Sequence, residues 1–181
     1  METQIADASG QSTKKYKTFH PYRDGPQGLA LARVTRRRKV DAPLIAAWEL
    51  VSDPYNLPRW WPRAQRVEAV EGEGEGAQWT LILGTAEGRG VRADFLCTAA
   101  VEGERFAWEQ QIPGTPFERH LRRAGLEIRL SSGDESAEVT LSAIQSMRGI
   151  SRLGGPLMRR GQGAVLDAAL DGIERALGGP A

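Results

Sequence analysis

Along "LALARVTRRRKVDA", from Leu29, apolar and polar residues alternate, with Val34 and Val40 on the same side as Arg36 and Arg38, which predicts a strand. Asp41 then offers an N-cap and Pro43 suits a first helical turn, so "PLIAAWELV" reads as a helix of about nine residues. Asp53 followed by Pro54 repeats the signal, and a second short helix is expected from there to Trp60, stopped by Pro62. Six runs with strand character follow. "QRVEAVE" and "WTLIL" flank "GEGEGAQ" as a hairpin, with Trp79, Leu81 and Leu83 on one side. "VRADFLCTAAV" sets Val91, Ala93, Phe95, Cys97, Ala99 and Val101 against Arg92, Asp94 and Thr98, while "RFAWEQQI" sets Phe106, Trp108 and Gln110 against Ala107, Glu109 and Gln111. "FERHLRRAGLEIRL" puts Glu118, His120 and Arg122 in phase with Leu126, Ile128 and Leu130, provided that Gly125 makes no bulge. "AEVTLSAIQSM" puts Val139, Leu141 and Ala143 in phase with Gln145, and "SSGDES" supplies the turn between the last two strands.

The period then changes. Leu166, Leu170, Ile173 and Leu177 follow helical spacing after Pro156, and Gly178 with Pro180 supplies the stop. Gly161 and Gly163 each cost about 1 kcal/mol relative to alanine in a helix interior, so a bend or opening turn is expected at "RGQG". Strand, two short helices, six antiparallel strands and one long helix make an α+β arrangement in which a curved sheet buries its apolar face against the last helix. The first 28 residues are polar with no regular apolar period and read as a mobile arm; residues 29–178 form one domain, and 179–181 a tail.

Composition narrows the function. The chain has 181 residues, and its 24 Lys and Arg residues against 23 Asp and Glu residues leave a net charge of +1. That balance gives no global attraction to nucleic acid or to a membrane surface. "RRRK", Arg36 to Lys39, is divided by strand alternation between two faces, and with no recognised binding module nucleic acid is not expected as a partner. Cys97 is the single cysteine, which excludes an internal disulfide and any multi-cysteine metal site and fits a reducing, cytoplasmic compartment. Neither an exported leader nor an apolar run of about 18 residues is apparent, so no integral membrane association is expected. No cofactor or metal is expected, and both a monomer and a homodimer fit.

Three of the five tryptophans fall within "WELVSDPYNLPRWWP". Together with the segment around it, "VDAPLIAAWELVSDPYNLPRWWPRAQRVE", this stretch resembles the opening of the START-like, polyketide cyclase/dehydrase and lipid-transport superfamily (SRPBCC, Bet v 1-like). "WEQQIPGTPFERHLR" and "GGPLMRRGQGAVLDAALDGIERAL" resemble its later strands and closing helix, so the likeness covers about Leu29 to Leu177. It implies a helix-grip fold, with a curved seven-stranded antiparallel sheet wrapped around the long C-terminal helix and two short helices after the first strand. It also implies a cavity for a hydrophobic or aromatic small molecule of the lipid, polyketide or isoprenoid class. Trp48 is expected as a core anchor, and one of the adjacent Trp60 and Trp61 is expected to be exposed. The wall residues implied are Trp61, Trp79, Phe95, Trp108, Gln110, His120, Gln145, Met158 and Leu166, with access past the "RGQG" turn. The alternative is an aromatase/cyclase or dehydratase-type enzyme. In that case His120 is the acid or base, oriented by Glu118, with Arg122 holding an acidic group.

Overall fold

The computed structural model describes residues 32–85, 88, 90–133, 136–147 and 155–178, with the side chains at 32, 155, 156 and 158 left outside the description. The expected arm, the residues before 32 in the first strand, the tail and the Met158 side chain all lie outside it. Seven strands form one antiparallel sheet: β1 (Ala32–Val40), β2 (Ala64–Glu71), β3 (Gln78–Gly84), β4 (Gly90–Val101), β5 (Arg105–Gln110), β6 (Leu121–Ser132) and β7 (Ala137–Met147). The spatial order is β1-β7-β6-β5-β4-β3-β2, so the first two strands of the chain are the two edges. Helices α1 (Leu44–Ser52) and α2 (Leu57–Trp60) join them, and α3 (Gly155–Ala176) packs on the sheet. This is the helix-grip architecture implied by the sequence.

Local chemistry explains the element boundaries. Asp53 Oδ1 accepts the Tyr55 amide at 2.9 Å and opens a 3-10 turn, Pro54–Asn56, that runs into α2. Helix α1 lacks such a cap. Its N-cap is Pro43, with no side-chain bond, so the expected role of Asp41 is not realised. At the other end, Gly178 takes φ +92°, and the amides of Leu177 and Gly178 bond back to Ile173 and Arg175, closing α3.

Two corrections concern phase. A register shift between Cys97 and Ala99 reverses the alternation expected for β4, so that Ala100, opposite Phe106, packs on the core while Val101 is exposed. "PFERH" is not strand at all. Pro116–Arg119 is a 3-10 turn with His120 as its C-cap, and β6 starts only at Leu121, followed by a second register shift before Arg123. The cause is local: Thr115 in the extended N-cap position followed by Pro116, whose fixed φ and missing N–H suit a first turn. Gly125 keeps its register with Glu109 and Ile144.

The face of the sheet toward α3 can be followed across the strands. Phe106, Ile128 and Leu141 lie level with Arg36; Trp108, Leu126 and Ala143 lie level with Val34; Leu130 and Val139 lie level with Arg38. Leu166, Leu170 and Ile173 of α3 are at most 1% exposed in the same core cluster, so the i, i+4, i+7 stripe is the buried side of the helix. Arg36 and Arg38 project from edge strand β1 to this helix, where Arg36 pairs with Asp167 at 3.0 Å and Arg38 pairs with Asp171 and Glu174. Helix α3 runs unbroken through Gly161 and Gly163. A Cβ on Gly163 would overlap the guanidinium of Arg36, whereas one on Gly161 would meet no described atom within 4 Å.

Candidate functional site

All five tryptophans join one aromatic cluster with Phe95 and Phe106. Trp79 stacks on Phe95 (5.9 Å, 19°) and on Phe106 (6.3 Å, 15°), and meets Trp108 edge-on at 5.8 Å. Trp108 in turn touches Trp60 and Trp61, both at 6.2 Å, while Trp48 stands edge-on to Phe106 at 6.2 Å. The expected exposure of either Trp60 or Trp61 is not realised. Helix α2 ends at Trp60, so Trp61 is already extended (φ −82°, ψ 128°), and the rings lie at 89° to one another with centroids 5.6 Å apart. Trp60 is 2% exposed and Trp61 half-buried. Such edge-to-face contacts contribute about 0.5–1.5 kcal/mol beyond area burial.

This inner surface has a closed end and an accessible end. Phe106, Trp108, Leu126, Ile128, Leu130, Val139 and Leu141 are buried beneath the helices. Phe95 and Gln110 face one another across β4 and β5, and Ala124 and Gln145 across β6 and β7; all four, with Ala143, are only half-buried. One step beyond the Glu109–Gly125 pair brings Gln110 level with Ala124, so a single row runs Trp79, Phe95, Gln110, Ala124, Gln145. Its floor is low at Ala124 and Ala143, where only methyl groups rise from the sheet. Over its β7 end stands the first half of α3, where Gln162 Nε2 donates to Gln145 Oε1 at 2.6 Å.

The polar groups are neutral. Gln162 Oε1 is buried without a hydrogen-bond partner, and the indole N–H groups of Trp60 and Trp79 are likewise buried and unpartnered. An unmatched buried polar atom carries a desolvation penalty of roughly 1–3 kcal/mol, so a ligand or water that supplies the missing bond is stabilised there. Cys97, 1% exposed and opposite Trp108 across β4 and β5, has its thiol pushed up to about 11 by burial, which favours the neutral thiol over the thiolate.

The expected wall residues therefore divide. Trp61, Trp79, Phe95 and Trp108 share the cluster, Gln110 and Gln145 share the accessible row, and Leu166 is buried in the core beside them. His120 does not join them. It is exposed, and so is Arg122, while Glu118 Oε2 accepts the Gly114 amide at 2.9 Å within its own turn, next to a shallow open hollow lined by Gly114, Thr115, Glu118 and Arg119. The row of Glu118, His120 and Arg122 expected on one sheet face is thus broken by the 3-10 turn and the register shift that follows. Trp60, which the sequence places with Trp61 at the mouth of a cavity, is instead buried in the cluster, and sequence reasoning missed Gln162. The signal for Gln162 was present, since it precedes Leu166 by four residues on the buried stripe of α3.

The family model for polyketide cyclase / dehydrase and lipid transport proteins matches residues 32–178. Among solved structures, a START superfamily protein from Mycobacterium smegmatis superposes with a TM-score of 0.64 at 15% identity, over 80% of this chain and 96% of that one. The Zhui aromatase/cyclase from Streptomyces sp. R1128 gives 0.60 at 19% identity, over 81% of this chain and 91% of that one. The di-domain aromatase/cyclase StfQ of the steffimycin biosynthetic pathway gives 0.65 at 12% identity, over 81% of this chain and 51% of that one. At these identities the likeness speaks for the fold. The comparison with curated proteins gives no match. With the family model spanning every described element, the chain belongs to the polyketide cyclase / dehydrase and lipid transport family.

Proposed function

We propose that the chain binds a hydrophobic or aromatic small molecule of the lipid, polyketide or isoprenoid class between the inner face of the sheet and the first half of α3. The observation that carries this reading is the accessible row Phe95, Gln110, Ala124 and Gln145 on the otherwise buried inner face, continuous with the aromatic cluster through the Trp79–Phe95 stack. Apolar walls with a few placed polar groups are the usual form of a small-molecule site. Access runs past the start of α3, where Leu157, Arg159, Arg160 and Gly161 are exposed and nothing described lies within 4 Å of a Cβ on Gly161.

Binding is favoured over catalysis by the chemistry of the row. Its polar members Gln110 and Gln145, and Gln162 above, are amides, which exchange no proton near neutral pH, while His120 and Arg122 are exposed beyond the start of β6. Native mass spectrometry of the protein purified from its own host tests the reading, with a co-purifying apolar molecule as the expected result. A ligand-free mass, together with tryptophan emission unmoved by titration with 1-anilinonaphthalene-8-sulfonate, overturns it.

A further inference from the structure

We infer that Gln145 and Gln162 form a recognition point for a hydroxyl group on a neutral ligand, at the β7 end of the accessible row. The inference rests on the binding reading above and adds to it the polar chemistry that the ligand must carry.

The two amides are joined by a hydrogen bond that leaves polar groups of both unmatched. Each side-chain amide offers two N–H donors and one acceptor oxygen. The bond from Gln162 Nε2 to Gln145 Oε1 uses one donor of the first and the acceptor of the second. It leaves Gln162 Oε1 buried with no donor, and leaves the N–H groups of Gln145 without a described side-chain partner. If both amides are turned over, the same bond runs the other way, and again one acceptor and at least one donor remain. A hydroxyl group matches either arrangement because it donates and accepts through one oxygen. A carbonyl can only accept, so it leaves the orphaned oxygen unmatched. A carboxylate adds a repulsion against that oxygen, and the cation on this face nearest along β1, Arg36, is already held by Asp167 at 3.0 Å.

The neighbourhood fits an aromatic or polycyclic alcohol. Ala124 and Ala143 beside Gln145 raise only methyl groups from the sheet, and half-buried Phe95, stacked on the buried Trp79, continues the row as flat apolar surface. Gln110 stands two strands from Gln145, a separation of about 10 Å. The ring system therefore lies toward Phe95, with its hydroxyl at the amide pair.

Equilibrium dialysis of the full chain against 2-naphthol, naphthalene and 2-naphthoate tests this. A net hydrogen bond to a neutral group predicts 2-naphthol bound about three- to tenfold more tightly than naphthalene, with 2-naphthoate weakest. Replacing both amides, Gln145→Met with Gln162→Met, removes the pair without orphaning one partner. That variant is expected to lose the preference for 2-naphthol over naphthalene, the ratio of the two affinities falling to about one. If its melting curve reveals a damaged fold, Gln162→Met alone makes the same discrimination. Equal binding of 2-naphthol and naphthalene by the unaltered chain, a preference that survives the substitutions, or tightest binding of 2-naphthoate each overturns the inference while leaving the binding reading in place. Failure of all three probes to bind removes both.

Discussion

The two halves of α3 cover the same sheet in opposite ways. The second half is sealed: Leu166, Leu170 and Ile173 are at most 1% exposed, and Gly172 lies so close to α2 that a Cβ would overlap the Trp60 carbonyl oxygen and sit 2.7 Å from its Cα. The first half is loose. Leu157 is 77% exposed, Val165 43%, a Cβ on Gly161 would have no described neighbour within 4 Å, and the sheet residues below it include half-buried Ala124, Ala143 and Gln145. One helix thus anchors the fold at one end and roofs the candidate site at the other. Stability and ligand affinity are expected to separate along it.

The strongest way to break that comparison is at Leu170. Truncation to alanine in a site this closed removes buried methyl groups that neighbours cannot replace, at about 2–5 kcal/mol. Leu170→Ala should lower Tm by roughly 5–15 °C, while probe affinity measured well below Tm changes little. A large loss of affinity at constant fold would mean that the sealed half takes part in binding. Gly172→Ala comes next. Its clash is with backbone, so α2 and α3 must separate, at about 1–3 kcal/mol. Thermal melting monitored by circular dichroism checks the stability effect, and tryptophan emission reports any movement of Trp60 against Trp108.

These two residues also mark how far the sequence could be read. Leu170 was legible because helical spacing alone assigns it to the buried stripe, and by the same logic alternation located Trp79, Trp108, Leu126 and Leu141. Gly172 was not legible, because a close helix crossing depends on what α2, more than a hundred residues earlier, presents to it. The same limit explains the bulge after Cys97, which reverses phase without a Gly or Pro to announce it. On the inner face, parity located Trp79, Phe95, Trp108, Gln110 and Gln145, whereas Trp61 lies in no strand and came only with the resemblance. His120 departs from the expected strand face because Thr115-Pro116 starts a 3-10 turn, the same kind of polar-residue-then-proline signal that opens the turn at Asp53-Pro54. Gly161 and Gly163 look alike in the sequence, yet Arg36 fills the Cβ position of Gly163 and no described residue fills that of Gly161.

That last contrast sharpens the comparison from the loose side. Gly161→Ala meets no described atom within 4 Å and reduces the freedom of the unfolded chain, so it should stabilise by about 0.5–1 kcal/mol and raise Tm by roughly 1–4 °C. If ligand access uses opening of this half, stopped-flow association of the naphthalene sulfonate probe should slow in the same variant, with equilibrium affinity little altered. An unchanged association rate would move the access route elsewhere.

The smallest effect is expected on the outer face, behind the sealed half. Glu127 stands between Arg105 and Arg129, at 2.9 and 2.7 Å, and Leu126 and Ile128 on either side of it belong to the buried core. Burial pushes its carboxyl up, but the hydrogen bond from Arg129 and the charge of Arg105 outweigh this, and it titrates below the ordinary value. A carboxyl held lower in the folded chain than in the unfolded one contributes stability that is present above about pH 4.3 and is lost as pH falls through its folded value. Because both arginines are largely solvated, the contribution is screened to about 0.2–1 kcal/mol. Glu127→Gln should therefore lower Tm by a few degrees at most at pH 7, with the difference from the unaltered chain shrinking as pH falls below the ordinary carboxyl range. Probe affinity at pH 7 should stay the same, since this ion pair braces the sheet from behind and touches no residue of the accessible row. A pH-independent difference would assign the effect to packing of the side chain and not to its charge.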